Sequence, residues 1–132
     1  MGMVINEEIN TIKDLIIANS DCEQVYLFGS YAYGTPREDS DPLGPSDYDF
    51  YVVLNDNAKK PMLVMQDLSL CLGHVHLSLW EQARNSGLKK TFTPVDFVAQ
   101  YRSIFEERSK HYPFEHTIAE KGVLLYDKYA LN

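Results

Sequence analysis

The chain has 132 residues, 45% of them hydrophobic, with 12 Lys and Arg against 19 Asp and Glu for a formal net charge of -7. That length and apolar content suit one compact domain spanning residues 1–132, with a real core and little room for a second domain. The basic residues are scattered rather than gathered into a run, which argues against a phosphate-backbone footprint, so long nucleic acid is not an expected partner.

The opening residues, MGMVINEEINTIKD, carry acids where a secretory signal needs bases, and Asn6 stands where myristoylation of Gly2 wants Ser or Thr. Ile5, Ile9, Ile12 and Ile16 repeat at i, i+4, i+7 and i+11, with Leu15 widening the stripe. Asn6 followed by Glu7 and Glu8 makes an N-cap with favourable dipole charges, so a helix is expected over residues 6–18. Residues 25–28 form a short apolar strand ending at Gly29-Ser30, and a second helix is expected after Gly29.

Pro36, Pro42, Gly44 and Pro45 exclude regular structure from residues 35–46, and DFYVVL at 49–54 is a strand rich in β-branched and aromatic residues. Asp47 and Asp49 occupy alternate positions at its start. Side chains alternate faces along a strand, so the two carboxylates point the same way, a metal-site geometry. Pro61 opens a helix over residues 61–72, apolar at 62, 65, 68 and 72. Residues 73–93 are ambiguous: 77–84 could extend that helix, whereas Asn85-Ser86-Gly87 is a break. His74 and His76 would share a face if this segment were extended, but two histidines without a third ligand are read as ordinary surface or core residues. Met62, Met65 and Trp80 are assigned to the core, and tyrosines 31, 33, 48 and 51 to packing, with base stacking as an alternative.

Residues 94–101, PVDFVAQY, alternate as a strand with Asp96 near its start, and 104–110 is a short exposed helix or turn. Pro113 opens a helix that Gly122 stops at 121, and 123–126 make a last strand. The order is α-β-α-β-α-β-α-β, which predicts an α/β (α+β) domain with a mixed sheet flanked by helices. Cys22 and Cys71 have no paired spacing, and no segment reaches the roughly 18–20 apolar residues that span a bilayer. The chain is therefore expected to be cytoplasmic, with free thiols and no membrane insertion.

An apolar strand ending in Gly-Ser, a loop, and Asp-x-Asp on the next strand resemble the signature of the DNA polymerase beta-type nucleotidyltransferase superfamily. In particular the chain resembles the minimal nucleotidyltransferases. LFGSYAYGTPREDSD and SDYDFYVVL carry the core of the likeness, PVDFV matches the later strand with a third carboxylate, and the tail IFEERSKHYPFEHTIAEKGVLLYDK matches the family's usual ending. Counting from Gly-Ser points to Asp41 as the first aspartate. Asp41 is followed by Pro42-Leu43-Gly44, which offers neither a second carboxylate at i+2 nor a strand. Ser46-Asp47-Tyr48-Asp49 offers both, so DPLGPS at 41–46 reads as an insertion that lengthens the loop.

The resemblance implies the polymerase beta-like fold and magnesium-dependent transfer of a nucleoside monophosphate, AMP from ATP in the first instance, to a hydroxyl. In-line attack at the α-phosphorus loads charge onto phosphate oxygens, and two magnesium ions held by carboxylates stabilise it. It implies Asp47, Asp49 and Asp96 as metal ligands and catalytic residues, Asp96 also helping to deprotonate the acceptor hydroxyl. Gly29 and Ser30 would cradle the nucleotide's phosphates, with Arg37 a further phosphate contact. It also implies an antitoxin that adenylylates a tyrosine of an all-helical HEPN-type ribonuclease toxin, which suits a chain with no second domain to grip a small substrate. One alternative is an aminoglycoside-type nucleotidyltransferase working with a helical partner or as a dimer. Another is a non-catalytic module that masks a partner, which retention of three carboxylates argues against.

Overall fold

The run YDFYVVL is apolar at nearly every position, and in the computed structural model, which describes residues 6–34 and 47–130, it is buried everywhere except Asp49. A strand apolar on both faces needs cover on both, and the chain supplies it. Among the described residues the elements run α1 (Glu7–Asn19), β1 (Cys22–Phe28), β2 (Tyr48–Leu54), α2 (Pro61–Asn85), β3 (Val95–Tyr101), α3 (Arg102–His111), α4 (Pro113–Lys121) and β4 (Val123–Asp127). The sheet order is β3-β2-β1-β4. β1 is antiparallel to both its neighbours, whereas β3 runs parallel to β2, so the sheet is mixed as expected.

Alternation along β2 divides the core. Phe50, Val52 and Leu54 join Ile9, Ile12 and Ile16 of α1 and Val64, Leu68 and Leu72 of α2. Tyr51 and Val53 point the other way, against Phe105 of α3 and Ile118 of α4. α1 starts where its cap requires: the Asn6 carboxamide oxygen accepts the Ile9 amide at 2.7 Å. Ile5, the first residue of the predicted stripe, lies outside the described residues.

Four expectations change. First, residues 30–34 form a turn instead of a helix, with the Tyr33 amide donating to the Gly29 carbonyl at 3.1 Å and Gly34 at φ +76°. Residues 35–46, where a loop with Arg37, Asp41 and the 41–46 insertion is expected, lie outside the described residues.

Second, the helix expected to stop at 72 continues to Asn85. An interior glycine such as Gly73 costs about 1 kcal/mol against alanine, which flanking helix formers outweigh. The break falls at Asn85-Ser86-Gly87. Gly87, at φ +74°, donates to Arg84 and the next amide, of Leu88, to Ala83, a Schellman closure. His74 and His76 are therefore helical, and the His76 ring stacks on Phe92 at 3.9 Å.

Third, Met62 and Trp80 are exposed and only Met65 packs on the core. Fourth, α2 is long and apolar enough, by length and composition, to cross a bilayer, contrary to expectation. Its Val64, Leu68 and Leu72 belong to the core, and insertion would have to strip them from it.

The end of the sheet away from Gly29 is locked by Glu23, buried on β1. Its carboxylate accepts from Arg102 at 3.0 Å, Asn55 at 2.9 Å and Tyr129 at 3.0 Å. Burial opposes the charge, but these donors outweigh it and hold the carboxyl below the ordinary glutamate range.

Candidate active site

Three carboxylates meet at the edge of the sheet where β1 ends and β2 and β3 begin. Asp49 is the register partner of Phe28 on β1 and of Asp96 on β3. A parallel pair in register presents equivalent residues on one face, so Asp49 and Asp96 emerge side by side. Asp47 immediately precedes β2, and the Tyr48 amide donates to the Pro94 carbonyl at 2.9 Å, closing the two strand starts together. Each aspartate offers one oxygen, and the three oxygens lie within 4.8 Å of one another. Asp47 and Asp49 are half-buried and Asp96 is exposed.

Negative charge this concentrated is costly unless a proton or cation offsets it. Although Asp96 is open to solvent on one side, desolvation on the other, and then the Asp47 carboxylate beside it, raise its pKa above the ordinary 3.8. An all-oxygen set of three carboxylates suits a hard divalent cation such as magnesium, which keeps waters in its remaining positions.

Gly29 shapes the floor of this site. Its φ is +78°, and a Cβ built there would lie inside the Asp49 carboxylate. Only glycine gives that backbone and that close approach together. Ser30 follows at the start of the 30–34 turn, half-buried.

Parity sends Tyr48 to the opposite face from the carboxylates. There its hydroxyl accepts from the Asn6 side chain at 3.0 Å and its ring packs on Tyr31 at 4.6 Å between centroids. The N-cap of α1, the turn after Gly29 and the start of β2 are thereby braced from behind. On the carboxylate face, Phe114 of α4 packs on Phe28 at 5.4 Å and on Tyr51 at 6.0 Å.

The structure thus brings together Asp47, Asp49, Asp96 and Gly29 from the predicted site, with Ser30 next in the chain. Sequence reasoning missed the Asn6–Tyr48–Tyr31 brace and the aromatic layer that includes Phe114. Strand parity at Tyr48 was a usable signal for the first. Nothing in the sequence marked Phe114, whose position depends on where α4 lands on the sheet. Among the described residues, His74 and His76 belong to no comparable ligand cluster.

A family model described as polymerase beta, nucleotidyltransferase matches residues 10–130, nearly the whole chain. No curated protein and no solved structure matches it.

Proposed function

The chain belongs to the polymerase beta-type nucleotidyltransferase family, and on that footing we propose that it transfers AMP from ATP to a hydroxyl of a second protein. The acceptor is a tyrosine of an all-helical HEPN-type ribonuclease toxin, which this chain binds and neutralises in the cytoplasm as its antitoxin. The observation that carries nucleotidyl transfer is the convergence of Asp47, Asp49 and Asp96 within 4.8 Å, beside a glycine that leaves room for Asp49.

Magnesium bound there would supply positive charge for the phosphate oxygens. Asp47 and Asp49 hold it from adjoining positions on one face of the sheet. Asp96, within oxygen reach of both, would also ligate the metal, and it takes the proton of the acceptor hydroxyl as the hydroxyl oxygen bonds to the α-phosphorus and pyrophosphate leaves. Gly29 keeps the backbone low beneath the triphosphate, while the Ser30 hydroxyl donates to phosphate oxygens. Arg37 completes the phosphate contacts from the loop.

The test is incubation of the purified chain with α-labelled ATP, magnesium and a lysate of its own cells. Label should appear on a discrete protein band, and Asp47→Asn or Asp49→Asn should abolish it. Label on a small molecule would replace the antitoxin reading with the aminoglycoside-type one. Absence of any transfer that depends on these aspartates would overturn nucleotidyl transfer itself.

A further inference from the structure

α2 carries more apolar surface than its own fold uses. Val64, Leu68 and Leu72 fill the inward face. On the outward face Leu63, Leu70 and Leu77 recur every seven residues and are 48%, 65% and 54% exposed. Gln66, Gly73 and Trp80 each follow one of these leucines by three positions, and all are exposed. Positions 63, 66, 70, 73, 77 and 80 therefore fall at a/d heptad spacing, with leucine at each of these a positions and Trp80 as the apolar d residue, the spacing by which one helix receives another. Single exposed leucines are common, but these three recur at heptad spacing on the face opposite Val64, Leu68 and Leu72, and so form a stripe rather than scattered surface residues.

We propose that this seam docks an amphipathic helix of a partner protein that carries Lys or Arg along one flank. This deepens the reading above and rests on it for the partner being a protein. Charge selects the occupant. Counting Leu63 as a, the e positions are Asp67, His74 and Glu81, while the g positions Ser69, His76 and Ala83 bear no acid. The surface pair of Asp67 with Lys59 at 3.2 Å is exposed and weak, so this edge stays acidic.

A second copy fits poorly. An antiparallel pair sets Asp67 against Glu81 of the copy, a parallel pair sets Arg84 against Arg84, and each copy adds a net charge of -7. A lipid surface fits poorly too, because helices that lie on membranes flank their apolar face with bases. A helix with basic residues facing Asp67 and Glu81 satisfies both the leucines and the edge.

In the full chain expressed in its own cells, a photoreactive benzophenone residue replaces Leu70 or, as a control, Lys128. Position 70 should cross-link to one protein, at a peptide with heptad-spaced apolar residues and Lys or Arg on one flank, and position 128 should not. Leu77→Glu should lose that cross-link. Asp67→Lys combined with Glu81→Lys should weaken binding of the same partner by about tenfold or more while magnesium-ATP binding is retained. A cross-link to a second copy or to lipid, no cross-link, or indifference to the charge reversal overturns the proposal. Asp47→Asn, which should keep the cross-link and lose AMP transfer, separates the two readings. A cross-linked complex whose partner receives no AMP from the wild-type chain overturns the proposed function and keeps the seam, whereas transfer to a partner bound elsewhere does the reverse.

Discussion

Replacing Gly29 by alanine tests whether close backbone approach organises the carboxylates. The substitution has two costs. Left-handed backbone at φ +78° costs a non-glycine residue about 1–2 kcal/mol. For a domain of this size each kcal/mol lowers Tm by about 4 °C, so the melting temperature should fall by about 4–8 °C. The new Cβ also collides with the Asp49 carboxylate, which must swing aside. A displacement on the order of 1 Å costs about 100-fold in rate at a site that depends on alignment. Gly87→Ala separates the two costs. Gly87 has φ +74°, yet nothing lies within 4 Å of its Cβ position, so it should lose comparable stability and no activity. The assays are thermal melting and pyrophosphate release under saturating magnesium-ATP with the acceptor protein present. If Gly29→Ala keeps its rate within a few-fold of wild type, or Gly87→Ala loses rate equally, Gly29 does not set the position of Asp49 and the reasoning fails.

Glu23→Gln should remove a charge-assisted network and cost about 2–3 kcal/mol, because Arg102 keeps partial solvent access when its partner is lost. The folded-state pKa of Glu23 is depressed, so its contribution is fully present above the ordinary value of 4.5 and is lost as pH falls through the folded value. The wild-type chain should therefore lose stability below pH 4.5 more steeply than Glu23→Gln, read as Tm against pH. Tyr51→Phe should cost about 1–3 kcal/mol in a denaturant titration, since it removes the 3.1 Å donor to buried Glu115, whose remaining charged partner among the described residues, Arg108, stands at 3.8 Å. Gly73→Ala should raise stability by about 0.5–1 kcal/mol in the same titration, because its Cβ meets open space in a helix interior.

Much of the fold was legible because local patterns and tertiary packing agree. The isoleucine stripe and Asn6 cap define α1 to within a residue, and Pro113 and Gly122 bracket α4. The errors fell where a local signal lacked its packing context. Gly29 marked the end of β1, but the described residues behind it, 30–34, form a turn in which the Tyr33 amide donates to the Gly29 carbonyl. Gly73 looked like a boundary and is interior to α2. Met62 and Trp80 are apolar, which favours the core, yet helical phase turns them outward while Val64, Leu68 and Leu72 turn in.

What the sequence determined by itself was the chemistry on offer: Gly-Ser closing an apolar strand, two aspartates at alternate positions, and a third on a later strand. Strand alternation made Asp47 and Asp49 share a face before any fold was known. Only the tertiary structure decided that Asp96 joins them, because that depends on β3 pairing parallel to β2 in the register that sets Asp96 beside Asp49. It alone decided that the outer leucines of α2 stay uncovered, since a heptad stripe and a core stripe look alike in sequence until one of them finds the sheet.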